Sequence, residues 1–195
     1  STTATNNTML GMQAGYTTTT GSNSVGIGKS ALYYNTTGGS NVAVGNSALL
    51  NNTTASDNTA VGYNALNANN TGARNTAIGS ASLTANTSGQ NNVSVGYNSM
   101  LANTSGSENI SIGVGTLDSN TTGSNNIALG RSALATSTTT SNLVAVGYQA
   151  LNKNTTGGSG VAIGYNALEE NTTGSGNTAV GRQALQENTT AGNNT

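Results

Sequence analysis

The sequence predicts an all-β chain, a parallel β-solenoid (β-roll) of about eleven coils, and three observations carry that prediction. An apolar-Gly dipeptide recurs every 17 residues, with its glycine at Gly11, Gly28, Gly45, Gly62, Gly79, Gly96, Gly113, Gly130, Gly147, Gly164 and Gly181. Before each glycine, β-branched and small residues alternate with the period of a strand. No helical period is sustained, because a unit interrupted by Asn-Thr-Thr-Gly leaves about two turns for any helix. Asn-Gly, the favoured two-residue hairpin turn, is absent despite 27 glycines. Eleven units without insertion or deletion must have equal path lengths, as stacked coils do. Residues 1–195 therefore read as a single repeat array, a rod about 50 Å long at about 4.8 Å per coil.

With the glycine counted as position 0, each coil reads G-x-x-A-L-x-x-N-T-T-G-S-x-N-V/T-A-V/I. The repeat glycines Gly28, Gly45, Gly62, Gly79, Gly96, Gly113, Gly130, Gly147, Gly164 and Gly181 suit either a corner of positive φ or a close approach between backbones. Position 4 is Leu in all but a few coils, Met100 among the exceptions, and reads as core. Positions 14 and 16, as in Val42 and Val44, are expected to join it inside. The small residues at position 15, such as Ala43, Ala60 and Ser94, would then face outward, where they could form a seam against a second chain. An asparagine column at position 13, from Asn41 to Asn177, is expected to stack like on like.

Composition removes most chemistry. The chain has no His, Cys, Trp, Phe or Pro, so His-dependent triads, thiolate nucleophiles, zinc fingers and disulfides have no players. Five basic and six acidic residues leave a net charge of −1, which offers neither a phosphate-binding surface nor an acidic tail. Only Glu169 and Glu170 cluster among the acids, and they read as a solvated turn. The expectation is a non-enzyme with no cofactor, no metal, no nucleic-acid partner and no membrane insertion.

The turn at positions 7 to 9 is the candidate site. Asn35, Asn52, Asn69, Asn86, Asn103, Asn120, Asn154, Asn171 and Asn188 each stand two residues before Thr or Ser, all in one phase of the repeat. They form N-x-S/T sequons and hence candidate glycosylation sites, with the neighbouring Thr37, Thr54, Thr122, Thr156, Thr173 and Thr190 as candidate O-linked acceptors. Turn chemistry explains the same residues, since Asx and Thr side chains bond local backbone. Either way the segment is expected at the surface. Paired files of Asn and Thr also suit an ice or surface lattice. Tyr63, Tyr97, Tyr148 and Tyr165 share position 1, where they could stack on sugar or cover the core at a corner.

The run N-x-A-V/I-G-x-x-A, as in Asn58 to Ala65 and Asn177 to Ala184, resembles the head repeat of trimeric autotransporter adhesins and related arrays in phage tail fibres. That resemblance implies a left-handed parallel β-roll, three copies interlocked about a common axis, and small residues at the seam. The unit here is about three residues longer, in the Asn-Thr-Thr-Gly-Ser segment. Neither end carries a distinct cap, so the chain reads as part of a longer fibre or a mature fragment.

These features lead to a structural extracellular or virion-surface fibre. It is expected to be a stiff spacer with polar turns, which are candidate carriers of glycan, that pairs with itself as a homotrimer, an end-to-end polymer, or both. The alternative is an adhesin or tail-fibre shaft that binds cell-surface carbohydrate; an ice-binding solenoid ranks below it.

Overall fold

A computed structural model describes residues 3–195. Eleven strands of three residues each are the only regular elements among them: β1 (Thr8–Leu10), β2 (Val25–Ile27), β3 (Val42–Val44), β4 (Thr59–Val61), β5 (Thr76–Ile78), β6 (Val93–Val95), β7 (Ile110–Ile112), β8 (Ile127–Leu129), β9 (Val144–Val146), β10 (Val161–Ile163) and β11 (Thr178–Val180). They form one parallel sheet in chain order. Each strand pairs with the next at a shift of one coil, as in Val42 against Thr59 and Val44 against Val61. Ten such steps at about 4.8 Å extend the sheet to about 48 Å.

The strand faces are the reverse of the expectation. Position 15 points inward, and Ala43, Ala60, Ala77, Ser94 and Ala128 are fully buried. Positions 14 and 16 point outward and are half-buried or exposed along the whole sheet. Beneath the sheet runs the segment from position 1 to 6, whose Ala at position 3 and Leu at position 4 are buried from coil 2 through coil 10, with Ser82, Ser99 and Thr116 replacing the Ala in three coils. An added Cβ at Gly26 would lie 3.6 Å from Leu32 Cδ1, which shows how near the two layers are. With Leu filling that gap, position 15 is Ala, Ser or Gly from β2 onward, and the larger β-branched side chains take the outer face; Met9 takes the inner place in β1, beside Gly15 and Gly26.

The corner glycines have φ between 118° and 140°, in a region that only glycine occupies without strain. They also touch along the axis: a Cβ on Gly79 would stand 2.5 Å from Gly96 O. Both demands are met within one chain, so the glycine column needs no second chain to explain it. Left-handed φ recurs at positions 2, 4 and 12, including the buried Leu66 at 53° and Leu83 at 53°. This conformation is costly for leucine, and its complete burial offsets the strain.

Two asparagine columns hold the coils together from inside. Asn52 Nδ2 donates to Asn35 Oδ1 in the preceding coil at 2.7 Å and to Ala55 O at 2.9 Å. The same Ala55 carbonyl accepts from Asn41 Nδ2 at 2.8 Å, and Asn41 Oδ1 accepts the Asn58 backbone N–H at 3.0 Å. Columns 7 and 13 thus converge on the position 10 carbonyl and satisfy it without water.

Candidate functional site

Three surfaces follow from this cross-section. The first is the outer face of the sheet. Its position 16 column is aliphatic from Leu10 to Val180, and its position 14 column alternates Val and Ile with Thr. Ile78, Ile112 and Ile163 are each about 40% exposed. Neither column contains a charged residue. Polar residues border it on the position 12 side, including Asp57, Arg74 and Glu108. The position 1 column borders the other side. There Tyr148 and Tyr165 stack at 5.3 Å and Arg182 lies 5.7 Å over the Tyr165 ring. The four position 1 tyrosines are exposed, so they flank the aliphatic face and do not lid the core. A seam against another chain would accordingly be made of aliphatic side chains and not of the small residues expected from the sequence.

The second surface is the Asn-Thr-Thr turn, which splits into three layers. Asn35, Asn52, Asn69, Asn86, Asn103, Asn120, Asn154 and Asn171 are buried. Asn188, in the last coil, is half-buried but makes the same two bonds, to Asn171 Oδ1 and Ala191 O. The expectation of surface asparagines is therefore corrected: their amide nitrogens are spent on the interior ladder, and a sugar there would have to unpick it. The lattice reading loses its asparagine file for the same reason. Position 8 lies next, and its threonine hydroxyls turn back to the neighbouring coil, as in Thr36 Oγ1 to Thr53 O at 2.9 Å and Thr104 Oγ1 to Thr121 O at 3.0 Å. Position 9 is outermost. Thr37, Thr54, Thr122, Thr156, Thr173 and Thr190 are exposed, with hydroxyls that bond to no protein atom.

The third surface is a shallow groove of about 560 Å³ between the position 6 and position 8 columns, with Tyr34 as one wall and Ala68 on its floor. Four threonines line it: Thr17, Thr36 and Thr87 donate their hydroxyls to backbone carbonyls, and Thr53 donates to Asn70 Oδ1. Sequence reasoning missed this groove; the contrast of Tyr34 with Ala68 two coils along the position 6 column was the available signal.

The acidic pair is dispersed into structural bonds. Lys153 Nζ meets Glu170 Oε1 at 2.6 Å, and Gln186 Nε2 donates to Glu169 Oε2 at 2.9 Å. Among the described residues no helix is long and apolar enough to cross a membrane. No family model, no curated protein and no solved structure matches the chain.

Proposed function

We propose that the protein is a structural fibre segment of a cell or virion exterior, a stiff solenoid rod whose sheet face packs against other copies of itself. The observation that carries this reading is the outer sheet face, an uncharged aliphatic surface that runs the full length of the rod and is bordered by polar side chains. Exposed apolar patches of this extent mark contact sites. A strip about 48 Å long and two side-chain columns wide offers roughly 700 Å² per copy, near the 800 Å² or so that each partner contributes to a stable interface. Identical coils give both partners the same spacing, so the side chains of one column can interdigitate with those of another at every step. The resemblance to trimeric autotransporter heads favours three copies around one axis, with these aliphatics at the seam.

Sedimentation of the wild-type chain at micromolar concentration tests the reading, alongside Val95→Lys and the conservative Val95→Thr. Oligomers in the wild type and Val95→Thr, with monomers in Val95→Lys at unchanged circular dichroism, are expected. A wild-type chain that is monomeric at every concentration would remove the self-packing.

A second reading, an adhesin or tail-fibre shaft, has the Tyr34 groove in its favour, since an exposed aromatic wall can stack on a pyranose ring. Glycan-array binding lost in Tyr34→Ala would support it, and an array without signal would dismiss it.

A further inference from the structure

We propose that the position 9 column is a file of O-glycosylation sites, one hydroxyl per coil from Thr20 to Thr190, and that the adjoining asparagines are not glycan acceptors. The inference stands apart from the packing of the sheet face and does not depend on it.

The argument is a contrast between columns. Position 8 is Thr in ten coils and Asn70 in the other, and its uniformity has an internal cause, because its hydroxyls bond the carbonyl of the next coil. Position 9 is equally uniform: all eleven coils carry Thr or Ser there, including Thr71, Ser88, Ser105 and Thr139. Yet every one of these residues is exposed, and no hydroxyl among them donates to or accepts from another protein atom. Another exposed column drifts freely: position 12 runs through Asn, Ser, Asp, Arg, Glu and Gly, and the mostly half-buried position 6 through Thr, Tyr, Asn, Ala, Ser, Lys and Glu. A β-branched preference does not account for position 9, since Ser88 and Ser105 are accepted while Val and Ile never appear. What the column keeps is the free hydroxyl itself, which is the group a glycosyl transfer consumes.

The reaction requires a sugar activated as a nucleotide or lipid phosphate and an external transferase. The Thr or Ser oxygen attacks the anomeric carbon, the bond from that carbon to the phosphate oxygen breaks, the phosphate leaves with the electron pair, and the hydroxyl proton passes to the transferase base. The Asn amide has no such access, because its Nδ2 hydrogens are held by the ladder and the position 10 carbonyl.

Protein isolated from its native source, digested and fragmented with retention of labile groups, is expected to carry saccharide on peptides spanning Thr54, Ser88 and Thr122, removable by alkaline β-elimination. Unmodified hydroxyls at those three residues, or sugar found instead on Asn52, Asn86 or the position 8 threonines, would overturn the proposal. Thr122→Val expressed in the same source is expected to lose one saccharide while its melting temperature stays within a degree or two of the parent. An unchanged saccharide count in that variant would equally refute it.

Discussion

Ser82 Oγ donates to Ser94 Oγ at 2.8 Å across the inside of one coil, and also to Ser94 O at 3.0 Å. Six other coils hold two alanines at the equivalent positions, as in Ala48 and Ala60. Ser94 Oγ continues to Ser99 O at 2.8 Å, Ser99 Oγ meets Ser111 Oγ at 2.8 Å, and Ser111 Oγ donates to Thr116 O at 2.9 Å. In these two coils the buried hydroxyls are introduced as pairs, each with its partner, whereas the lone Thr116 opposite Ala128 sends its hydroxyl to Gly130 O. Ser82→Ala and Ser94→Ala are each expected to cost about 1 kcal/mol, and the double variant less than the sum by a similar amount. Urea denaturation of the four proteins checks the cycle; additive losses would mean that the two hydroxyls act independently.

The corner glycines separate two costs. Gly79→Ala faces both a φ of 131° and the Gly96 carbonyl, whereas Gly181, with φ 129°, has nothing within 4 Å of an added Cβ. Loss of about 3–5 kcal/mol is expected for Gly79→Ala, and about 1–3 kcal/mol for Gly181→Ala. Thermal melts of the two variants measure the difference, which is the contribution of axial contact alone.

Asp118 occupies position 5, where other coils place a donor against the position 2 carbonyl of the preceding coil: Asn67 Nδ2 to Ser47 O at 3.1 Å, Thr84 Oγ1 to Asn64 O at 3.0 Å, and Asn152 Nδ2 to Ser132 O at 2.8 Å. An ionised carboxylate has no hydrogen to give, and Asp118 Oδ1 is buried without a partner. Desolvation raises its pKa above the usual carboxylate value. The folded chain therefore holds this proton more tightly than the unfolded chain. Its contribution is most favourable below the ordinary carboxylate pKa and declines as pH rises through the raised one. Asp118→Asn is expected to add about 1 kcal/mol at pH 7, with little effect at pH 3. Stability measured across that range decides it; a variant less stable at neutral pH contradicts the assignment.

Asn120 Oδ1 is also buried and unpaired, for a reason visible in the next coil. Ser137 replaces the asparagine there, and its hydroxyl turns to Thr140 Oγ1 at 3.0 Å. Thr140 stands where most coils have glycine, and a Cβ in that place is 2.6 Å from the asparagine oxygen in the coil of Gly157. Ser137 and Thr140 are matched to each other through that hydroxyl bond, and either single replacement breaks it; a Cβ alone is accommodated beside an asparagine, as Ala55 is beside Asn52. The double variant Ser137→Asn/Thr140→Gly restores the Nδ2 donor and is expected to raise stability by about 1 kcal/mol, read by chemical denaturation.

The repeat length, the strand positions and the parallel stacking were all legible, because a 17-residue interval without exception leaves the backbone no other regular path. Alternation at Val42, Ala43 and Val44 also assigned the outer two to one face. It could not say which face was inside. Hydrophobicity argued for the valines, but Leu49 and Ala48 in the opposite layer already occupy a gap that excludes them. In the same way the sequon at Asn52 read as a surface turn, since sequence cannot tell a side chain that bonds its own turn outside from one that bonds the next coil within. The difference lies in the axial neighbour Asn35, 17 residues away.

Thiol labelling tests the central claim most directly, because the chain has no cysteine of its own. Val95→Cys is predicted to react readily at dilutions where the chain is monomeric and to become protected at micromolar concentration, while Ser94→Cys, one residue earlier on the inner face, resists the reagent at both. Free reaction of Ser94→Cys with Val95→Cys inert throughout would place the aliphatics inside and contradict both the strand orientation and the self-packing built on it.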